Sequence, residues 1–171
     1  MNARVRSTFG ESCVSCAASV ATPIGPITVA AREGAIESVA FMDRWTASGS
    51  SIDGRTAHAA PREPREFDLV LAERGAAFQR RVLGVVRGIP FGQTMTYAEV
   101  ARRAGNGAAS RAVAVANARN PWAIGVPCHR VVGANGRLTG YGGGLWRKEW
   151  LLGHESAMVG AVLIPPCAPG L

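Results

Sequence analysis

The sequence lacks a long apolar run and a dense set of cysteines, and each absence excludes a class of protein. A membrane-spanning helix needs about 18 or more consecutive apolar residues, and no such run is present. Two arginines occur in residues 1–9, but no long apolar segment follows them, so we expect no secretory signal. The four cysteines at positions 13, 16, 128 and 167 do not form a disulfide framework. These features predict a cytoplasmic protein with reduced cysteines.

Two further patterns are incomplete. Cys13 and Cys16 have the C-x-x-C spacing of a metal or redox pair, but no second pair follows at the spacing of a zinc site, so we predict no metal site. The glycine-rich stretch 133–144 lacks the G-x-x-x-x-G-K-[ST] pattern of a phosphate-binding loop. Its glycines instead leave backbone N–H groups free to approach some other ligand.

Acidic residues are scarce in one half of the chain. The net charge is +7, from 19 Lys and Arg against 12 Asp and Glu. Residues 71–150 contain twelve basic and three acidic residues, which gives +9 there and therefore −2 elsewhere. A basic half indicates a polyanionic partner such as nucleic acid. The alternative is a solvated basic face that serves solubility, and charge alone does not decide between them.

The first half of the chain has the pattern of a small β-rich domain, residues 19–71, after a flexible tail, residues 1–18. Strands are predicted at 19–22, 27–31, 36–41 and 67–71, with turns at 23–26 and 33–34. Residues 43–66 are rich in Gly, Ser, Arg and Pro and have no periodicity, so they are predicted to form an irregular loop.

The second half, residues 72–155, is predicted to be helical. An amphipathic helix is expected at 76–86, with Phe78, Val82, Val85 and Val86 on its apolar face. Thr96 and Glu99 form a capping box that opens a helix to about residue 104. A turn at 105–107 and a helix at 109–118 complete a helix-turn-helix pattern. The small side chains of the second helix suit either tight packing or close approach to a nucleic-acid backbone.

A last helix is expected from Leu145 to about His154, with Trp146 and Trp150 in the core. Residues 156–171 are predicted to form a tail.

The stretch Ile124–Val132 holds the main candidate for chemistry. Its apolar start predicts a short buried strand that Pro127 ends. Cys128 then lies beside His129 and Arg130, and a neighbouring base or cation lowers the pKa of a thiol and makes it a nucleophile. The alternative is a buried cysteine that acts as a small apolar side chain.

This stretch resembles the active-site signature of the O6-alkylguanine-DNA alkyltransferases in its residues Pro127-Cys128-His129-Arg130-Val131. Other segments resemble family landmarks and occur in family order. They are Thr22 to Ile27, Phe78 to Val82, Ile89 to Gly92, Thr96-Tyr97, Ser110 to Val113, Asn120-Pro121, Gly140 to Gly143 and Lys148 to Leu152. The resemblance covers about residues 20–42 and 67–155.

The resemblance implies an α/β (α+β) fold, with an RNase-H-like β-rich N-terminal domain and a helical C-terminal domain. It implies repair of O6-methylguanine, and of O4-methylthymine, by irreversible transfer of the alkyl group to Cys128 in a single turnover. His129 would deprotonate Cys128 through a water, and Glu155 would orient His129. Asn120 would brace the active-site turn, and Tyr97 would donate a proton to N3 of the leaving guanine.

The implied partner is double-stranded alkylated DNA, bound through its minor groove by a monomer with its damaged base flipped out. Arg111 would fill the gap left by the flipped base. The implied DNA contacts are Thr96, Tyr97, Ser110, Arg111, Ala112, Asn117 and Arg130. The implied pocket residues are Val131, whose backbone with that of Cys128 would read the exocyclic amine, and Tyr141, Gly142 and Gly143. This chemistry requires no metal or organic cofactor.

The sequence departs from the family pattern at several positions. Leu83 replaces a usual tryptophan, Gly107 a common proline and Ala114 a common glycine, while residues 43–66 lack the usual helix and Tyr-Phe landmark. Two other functions remain open: a lesion-binding or transcription-factor module without catalysis, and a Cys-His hydrolase. The hydrolase is disfavoured because adjacent side chains on an extended segment point in opposite directions.

Overall fold

The computed structural model describes residues 15–41, 70–72 and 74–160. The chain divides into two compact units. One comprises the residues up to Arg74 together with Pro121–Gly125, and the other comprises Gly75–Asn120 and the residues from Val126 onward. The expected order, a β-rich N-terminal part followed by a helical C-terminal part, is confirmed. No helix within the described residues is long and apolar enough to cross a membrane.

The first unit contains a three-stranded antiparallel sheet of strands β1 (Ser15–Val20), β2 (Ile27–Arg32) and β3 (Ala35–Phe41), in that order. Strands β2 and β3 are joined by Glu33 and Gly34, whose φ angles of 50° and 79° are those of the tight hairpin turn that suits twisted strands. Strand β1 begins four residues earlier than predicted. Its small side chains give no clear alternation, so its pairing with β2 defines its start.

The predicted strand at 67–71 lies mostly outside the described residues. Within them, Leu71 forms a parallel bridge to Ile36 of β3. The predicted loop 43–66, the tail up to residue 14, and the residues from 161 onward, which include Cys167, also lie outside the described part.

The segment Pro121–Gly125 contacts β3 and does not form the strand predicted there. The N–H of Val39 donates to the carbonyl of Pro121 over 2.7 Å, and the N–H of Ala123 donates to the carbonyl of Val39 over 2.9 Å. Ile124 has φ of 68°, a left-handed conformation that is unusual for a β-branched residue and turns the chain. The prediction of a strand before Pro127 is therefore wrong.

The second unit contains four helices and a short parallel strand pair. The helices are α1 (Ala77–Arg87), α2 (Tyr97–Arg103), α3 (Ser110–Ala118) and α4 (Leu145–Val159). Strand β4 (Met95–Thr96) pairs with β5 (Val131–Val132), and a 3₁₀ turn, Cys128–Arg130, leads directly into β5.

The local helix signals in this unit are confirmed. Thr96 Oγ1 accepts a hydrogen bond from the N–H of Glu99, and the Glu99 carboxylate accepts one from the N–H of Thr96, which completes the capping box. Helices α2 and α3 follow the expected helix-turn-helix order. On α1 the buried positions are Val82, Leu83 and Val86. Leu83 therefore packs in the core, where the sequence analysis had noted only a substitution.

Helix α4 corrects two expectations. It extends to Val159, so the predicted tail begins too early, at residue 156. Trp146 and Trp150 are 53% and 39% exposed rather than buried. The side of α4 that faces inward instead carries Arg147, Lys148, Leu151, Leu152 and Glu155. Periodicity of apolar residues does not predict this face, because three of its five side chains are charged.

Candidate active site

Cys128 lies in the 3₁₀ turn, only 8% exposed. The side-chain amide of Asn120 donates hydrogen bonds to Cys128 Sγ over 3.2 Å and to the carbonyl of Val126 over 2.8 Å. Asn120 therefore ties the turn before Cys128 to the sulfur itself. Burial raises the pKa of the thiol, and the Asn120 hydrogen bond and the Lys148 charge oppose that rise. The resting side chain is a thiol that needs a base.

His129 and Glu155 form a buried pair behind the cysteine. The distance from His129 Nε2 to Glu155 Oε1 is 2.8 Å. Burial tends to raise the pKa of Glu155, but hydrogen bonds from His129, Arg130 and the N–H of Gly92 lower it to about 2. An ionised carboxylate only accepts hydrogen bonds, so Nε2 of His129 carries the proton. The other nitrogen, Nδ1, holds a lone pair, and it is buried without a hydrogen-bond partner.

The pKa of His129 is lowered chiefly by burial, and the contact with Glu155 opposes this shift. The ring is therefore neutral at physiological pH and can take up a proton. Cys128 and His129 belong to a 3₁₀ turn rather than an extended segment, so the geometric objection raised against a Cys-His hydrolase was wrong. The side chains still do not pair directly, because the Nε2 of His129 faces Glu155 and its Nδ1 has no partner.

Arg130 is buried and does not reach the surface where a DNA contact was expected. Its Nε and Nη2 donate to Glu155 over 3.0–3.1 Å, and its Nη1 donates to the carbonyl of Ile89 over 2.6 Å. The buried carboxylate of Glu155 attracts the guanidinium inward, because an unpaired buried charge is costly. Arg130 thus fixes Glu155 and, through it, His129.

The backbone of Gly92 anchors the second oxygen of Glu155. Its N–H donates to Oε2 over 3.0 Å, at a φ of 74° that favours glycine. A Cβ at this position would lie 2.7 Å from a methyl of Val159, so no larger residue fits without a shift.

Lys148 is a member of the site that the sequence analysis gave no role. It is 0% exposed, and its Nζ donates to the carbonyls of Val131, Thr139 and Gly140 over 2.6, 3.1 and 3.5 Å. Burial lowers its pKa to about 8. No pattern in the sequence reveals this lysine, because the inward face of α4 on which it lies is largely charged.

A pocket of about 460 Å³ opens beside Cys128. Residues from α2, α3 and the glycine-rich loop line it together with the cysteine. They are Tyr97, Ser110, Arg111, Ala114, Asn117, Ala118, Cys128, Thr139, Gly140, Tyr141 and Gly142. Seven of these were predicted site residues. The other four, Ala114 and Ala118 on α3 and Thr139 and Gly140 in the loop, were not, since a small or polar residue carries no signal of its own.

The remaining predicted residues lie around the pocket rather than in its wall. Asn120, His129 and Glu155 lie behind Cys128, and the side chain of Val131 is fully buried in β5. Thr96 caps α2, while Ala112 is exposed on α3. Asn117, by contrast, does line the pocket; its side chain is buried, and neither of its polar atoms has a hydrogen-bond partner.

The two tyrosines of the pocket are protonated at physiological pH. Burial raises the pKa of Tyr97, and its hydroxyl donates to the carbonyl of Thr139 over 3.2 Å. Burial also raises the pKa of Tyr141. The pocket can thus supply phenolic protons next to a nucleophile. Within the described ranges, no group of three His, Cys, Asp or Glu side chains lies close enough to hold a metal ion.

Comparison with known proteins gives consistent matches. The family model described as 6-O-methylguanine DNA methyltransferase, DNA binding domain, matches residues 77–157. A methylated-DNA–protein-cysteine methyltransferase of Mycolicibacterium paratuberculosis is 44% identical over 149 residues, which cover 80% of this chain and 90% of the relative. The protein of the same name from Methanosarcina acetivorans is 44% identical over 149 residues, covering 80% of this chain and 95% of the relative.

Solved structures agree with these matches. The crystal structure of the Mycobacterium tuberculosis O6-methylguanine methyltransferase is 36% identical, with a TM-score of 0.69, over 84% of this chain and 93% of that chain. A crystal structure described as the OGT of the same organism in complex with DNA is also 36% identical, with a TM-score of 0.69, over 86% of this chain and 95% of that chain.

Proposed function

The chain belongs to the O6-methylguanine-DNA methyltransferase family, and we propose that it repairs alkylated DNA by transferring the alkyl group of O6-methylguanine to its own Cys128. The observation that carries this proposal is the placement of Cys128 at a pocket of about 460 Å³, next to a neutral, buried His129 with one nitrogen free. A flipped base needs such a pocket, and an alkyl acceptor needs such a base.

The transfer step balances without a cofactor. The thiol proton of Cys128 passes through a water to Nδ1 of His129, and the resulting imidazolium is stabilised by Glu155. The sulfur electron pair forms a bond to the alkyl carbon as the bond from that carbon to O6 breaks. The leaving guanine takes the electrons of the broken bond and a proton from the hydroxyl of Tyr97 at N3. The S–C bond persists, so each molecule acts once.

The helix-turn-helix of α2 and α3 would bind the minor groove of the duplex. Arg111 supports this role because it is exposed in the first turn of α3 and also borders the pocket, so it can occupy the space of a flipped base. Three further residues of this motif would contact the DNA backbone around the flipped base. They are Thr96, which caps α2, and Ser110 and Ala112 on α3. Asn117 lies deeper, at the pocket wall.

The base would be held by groups on two sides of the pocket. The carbonyls of Cys128 and Val131 would accept hydrogen bonds from the exocyclic amine of the base. The N–H groups at Gly142 and Gly143 would donate to the alkylated oxygen, beside Tyr141. An O4-methylthymine carries the same exocyclic O-alkyl group on a smaller ring, so we include it as a second substrate. We further propose that the protein acts as a monomer, in the cytoplasm and without a cofactor.

The decisive experiment is the intact mass of the protein after mixing with one equivalent of duplex that contains O6-methylguanine. The expected result is replacement of one hydrogen by one methyl group, mapped by peptide analysis to Cys128. The control is Cys128→Ala, which should bind the same duplex without a mass change. An unmodified wild-type protein that still binds the damaged duplex would refute transfer and support lesion binding alone.

A further inference from the structure

Lys148 carries a buried charge that no carboxylate of the described residues balances. Its side chain is fully buried on the inward face of α4, and the acceptors of its ammonium group are the carbonyls of Val131, Thr139 and Gly140. Among the residues that the structure describes, no Asp or Glu forms an ion pair with it. A buried ammonium without an anion is costly, so its presence calls for a function.

The titratable groups that face this ammonium all belong to the proposed reaction. From α2, the ring of Tyr97 lies 5.9 Å from Nζ. From the 3₁₀ turn, Cys128 and His129 interact with it electrostatically. On its own helix, Glu155 is already paired with His129 and Arg130. Arg147 donates a hydrogen bond to the carbonyl of Gly143 and stacks on the ring of Trp146. The groups near Lys148 that can become negative are therefore the Cys128 thiol and the Tyr97 phenol.

The carbonyl of Thr139 is shared between Lys148 and Tyr97. It accepts one hydrogen bond from the ammonium over 3.1 Å and another from the tyrosine hydroxyl over 3.2 Å. When Tyr97 gives its proton to a leaving base, it can no longer donate to this carbonyl. Lys148 keeps the carbonyl paired, so the loop retains a hydrogen-bond donor at Thr139 during the reaction. Through Val131, the same ammonium joins this loop to the strand that follows Cys128.

We propose that Lys148 is a positioning residue of the transfer reaction, whose buried ammonium stabilises the negative charge that forms on Cys128 and holds the Thr139–Gly140 loop against β5. The proposal deepens the proposed function and rests on it. A cation that is fixed in the site before the reaction stabilises the developing anion without having to reorganise.

The test measures the rate at which iodoacetamide alkylates Cys128 as a function of pH, with the modified peptide identified by mass. Lys148→Gln retains an N–H donor but removes the charge. At pH 7, where the Lys148 ammonium of the wild type is charged, we expect this variant to be alkylated about tenfold more slowly, since a nearby opposite charge shifts the pKa of a thiol by about one unit. Transfer from free O6-benzylguanine at neutral pH should then fall about tenfold.

The matched control is Arg147→Met. It removes a second buried cation from the same helix, one that also holds a carbonyl of the glycine-rich loop, at Gly143. Arg147 is not among the charges that act on the thiol, so Arg147→Met should be alkylated at the wild-type rate at pH 7. If Lys148→Gln also keeps the wild-type rate, or if both variants slow alike, the proposal is overturned.

A second measurement does not depend on the folding of a Lys148 variant. Coupling between two titrating groups is reciprocal, so the Cys128 thiolate must raise the pKa of Lys148 as much as Lys148 lowers that of the thiol. NMR titration of the Lys148 ammonium should give a higher midpoint in Cys128→Asp, whose carboxylate stands in for the thiolate and stays ionised while Lys148 titrates, than in Cys128→Ala. Equal midpoints would refute the coupling, even if the wild type transfers methyl groups to Cys128 and so satisfies the proposed function.

Discussion

Glu155 determines which ring nitrogen of His129 can accept a proton. Its carboxylate receives hydrogen bonds from His129, from Arg130 and from the backbone of Gly92, and its pKa lies near 2. The carboxylate therefore remains an acceptor over the whole physiological range. It fixes the proton on Nε2 and leaves Nδ1 as the basic atom, much as a carboxylate fixes the tautomer of histidine in other nucleophilic sites.

The pH dependence of stability should reveal this carboxylate. Its pKa in the folded state, about 2, is below its ordinary value of 4.5. Its contribution is therefore complete above about pH 4.5 and is lost as the pH falls toward 2. In Glu155→Gln, the decline of the free energy of unfolding between these values should be shallower, as measured by urea denaturation at each pH.

The same substitution should lower stability by about 3 kcal/mol at neutral pH, because it leaves the Arg130 guanidinium buried without an anion. The double variant Arg130→Met/Glu155→Gln removes that charge and should recover part of the loss. A double variant less stable than the sum of the two single changes would contradict this account of the pair.

Tyr97→Phe tests the proton donor. Burial raises the pKa of Tyr97, so the hydroxyl is protonated at neutral pH and can protonate a leaving guanine. Its removal should slow transfer from O6-methylguanine duplex by about a hundredfold without abolishing it, in single-turnover assays. Alkylation of Cys128 by iodoacetamide has no purine leaving group and should be unchanged. An unaltered transfer rate would exclude proton donation by this residue.

The site residues differ in how far the sequence could predict them. The resemblance singled out Cys128, Asn120, His129 and Glu155, and the structure shows them as two hydrogen-bonded pairs, Asn120 with Cys128 and His129 with Glu155. The inward direction of Arg130 and the burial of Lys148 could not be predicted. A charged side chain is normally solvated, and only the fold shows where carbonyls or a carboxylate compensate for its burial.

Among the helices and strands, the features that short-range signals in the sequence determine were the ones predicted correctly. The capping box fixes the start of α2, and glycines fix the turn before α3, because each signal acts within a few residues. The apolar run at Ile124–Val126 was misread because Ile124 turns the chain, after the preceding Pro121–Ala123 have bonded to β3, which is distant in sequence. The inward face of α4 was misread for the same reason, since tertiary contacts determine it.

Arg111→Ala tests the role of helix α3 in base flipping. Arg111 is exposed in the first turn of α3 and borders the pocket, so its loss should leave a flipped base without a replacement in the duplex. Repair of duplex O6-methylguanine should fall about tenfold or more, since unstacking a base costs a few kcal/mol. The reaction with free O6-benzylguanine, which needs no flipping, should change little.

The control for this prediction is Arg119→Ala. Arg119 follows α3 directly and is exposed, but it does not line the pocket. Arg119→Ala removes the same charge and should lower the rate of duplex repair only modestly. Equal losses of Arg111→Ala on both substrates would refute a flipping role for Arg111.

For the molecule as a whole, the charge available to DNA is smaller than the sequence suggests. Of the twelve basic residues in 71–150, three are buried: Arg130, Arg147 and Lys148. Arg130 and Lys148 hold active-site residues, Arg147 donates to the carbonyl of Gly143, and the other nine are exposed and left for a polyanion. Basic residues of this half of the chain therefore serve either the buried interior or the exposed surface, and composition alone does not show which residue does which.

The chain leaves the second unit after Asn120 and returns to it at Val126. Pro121–Gly125 belongs with the N-terminal sheet, and it links Asn120 directly to Val126, the two residues that brace Cys128. Within the first unit, the buried Trp122 donates its Nε1–H to the carbonyl of Ile36 over 2.9 Å. The sheet therefore fixes a segment whose two ends are both part of the site, although no strand residue borders the pocket.

Trp122→Phe should consequently affect both stability and chemistry. The loss of one hydrogen bond and of ring volume should lower the free energy of unfolding by about 1–2 kcal/mol in urea denaturation. The reaction of Cys128 with O6-benzylguanine should slow as well, because the segment that positions Asn120 is less firmly held. Trp146→Phe changes a tryptophan that is 53% exposed and should alter stability by less than about 0.5 kcal/mol. A Trp122→Phe protein that is destabilised but reacts at the wild-type rate would show that the sheet stabilises the molecule without positioning the nucleophile.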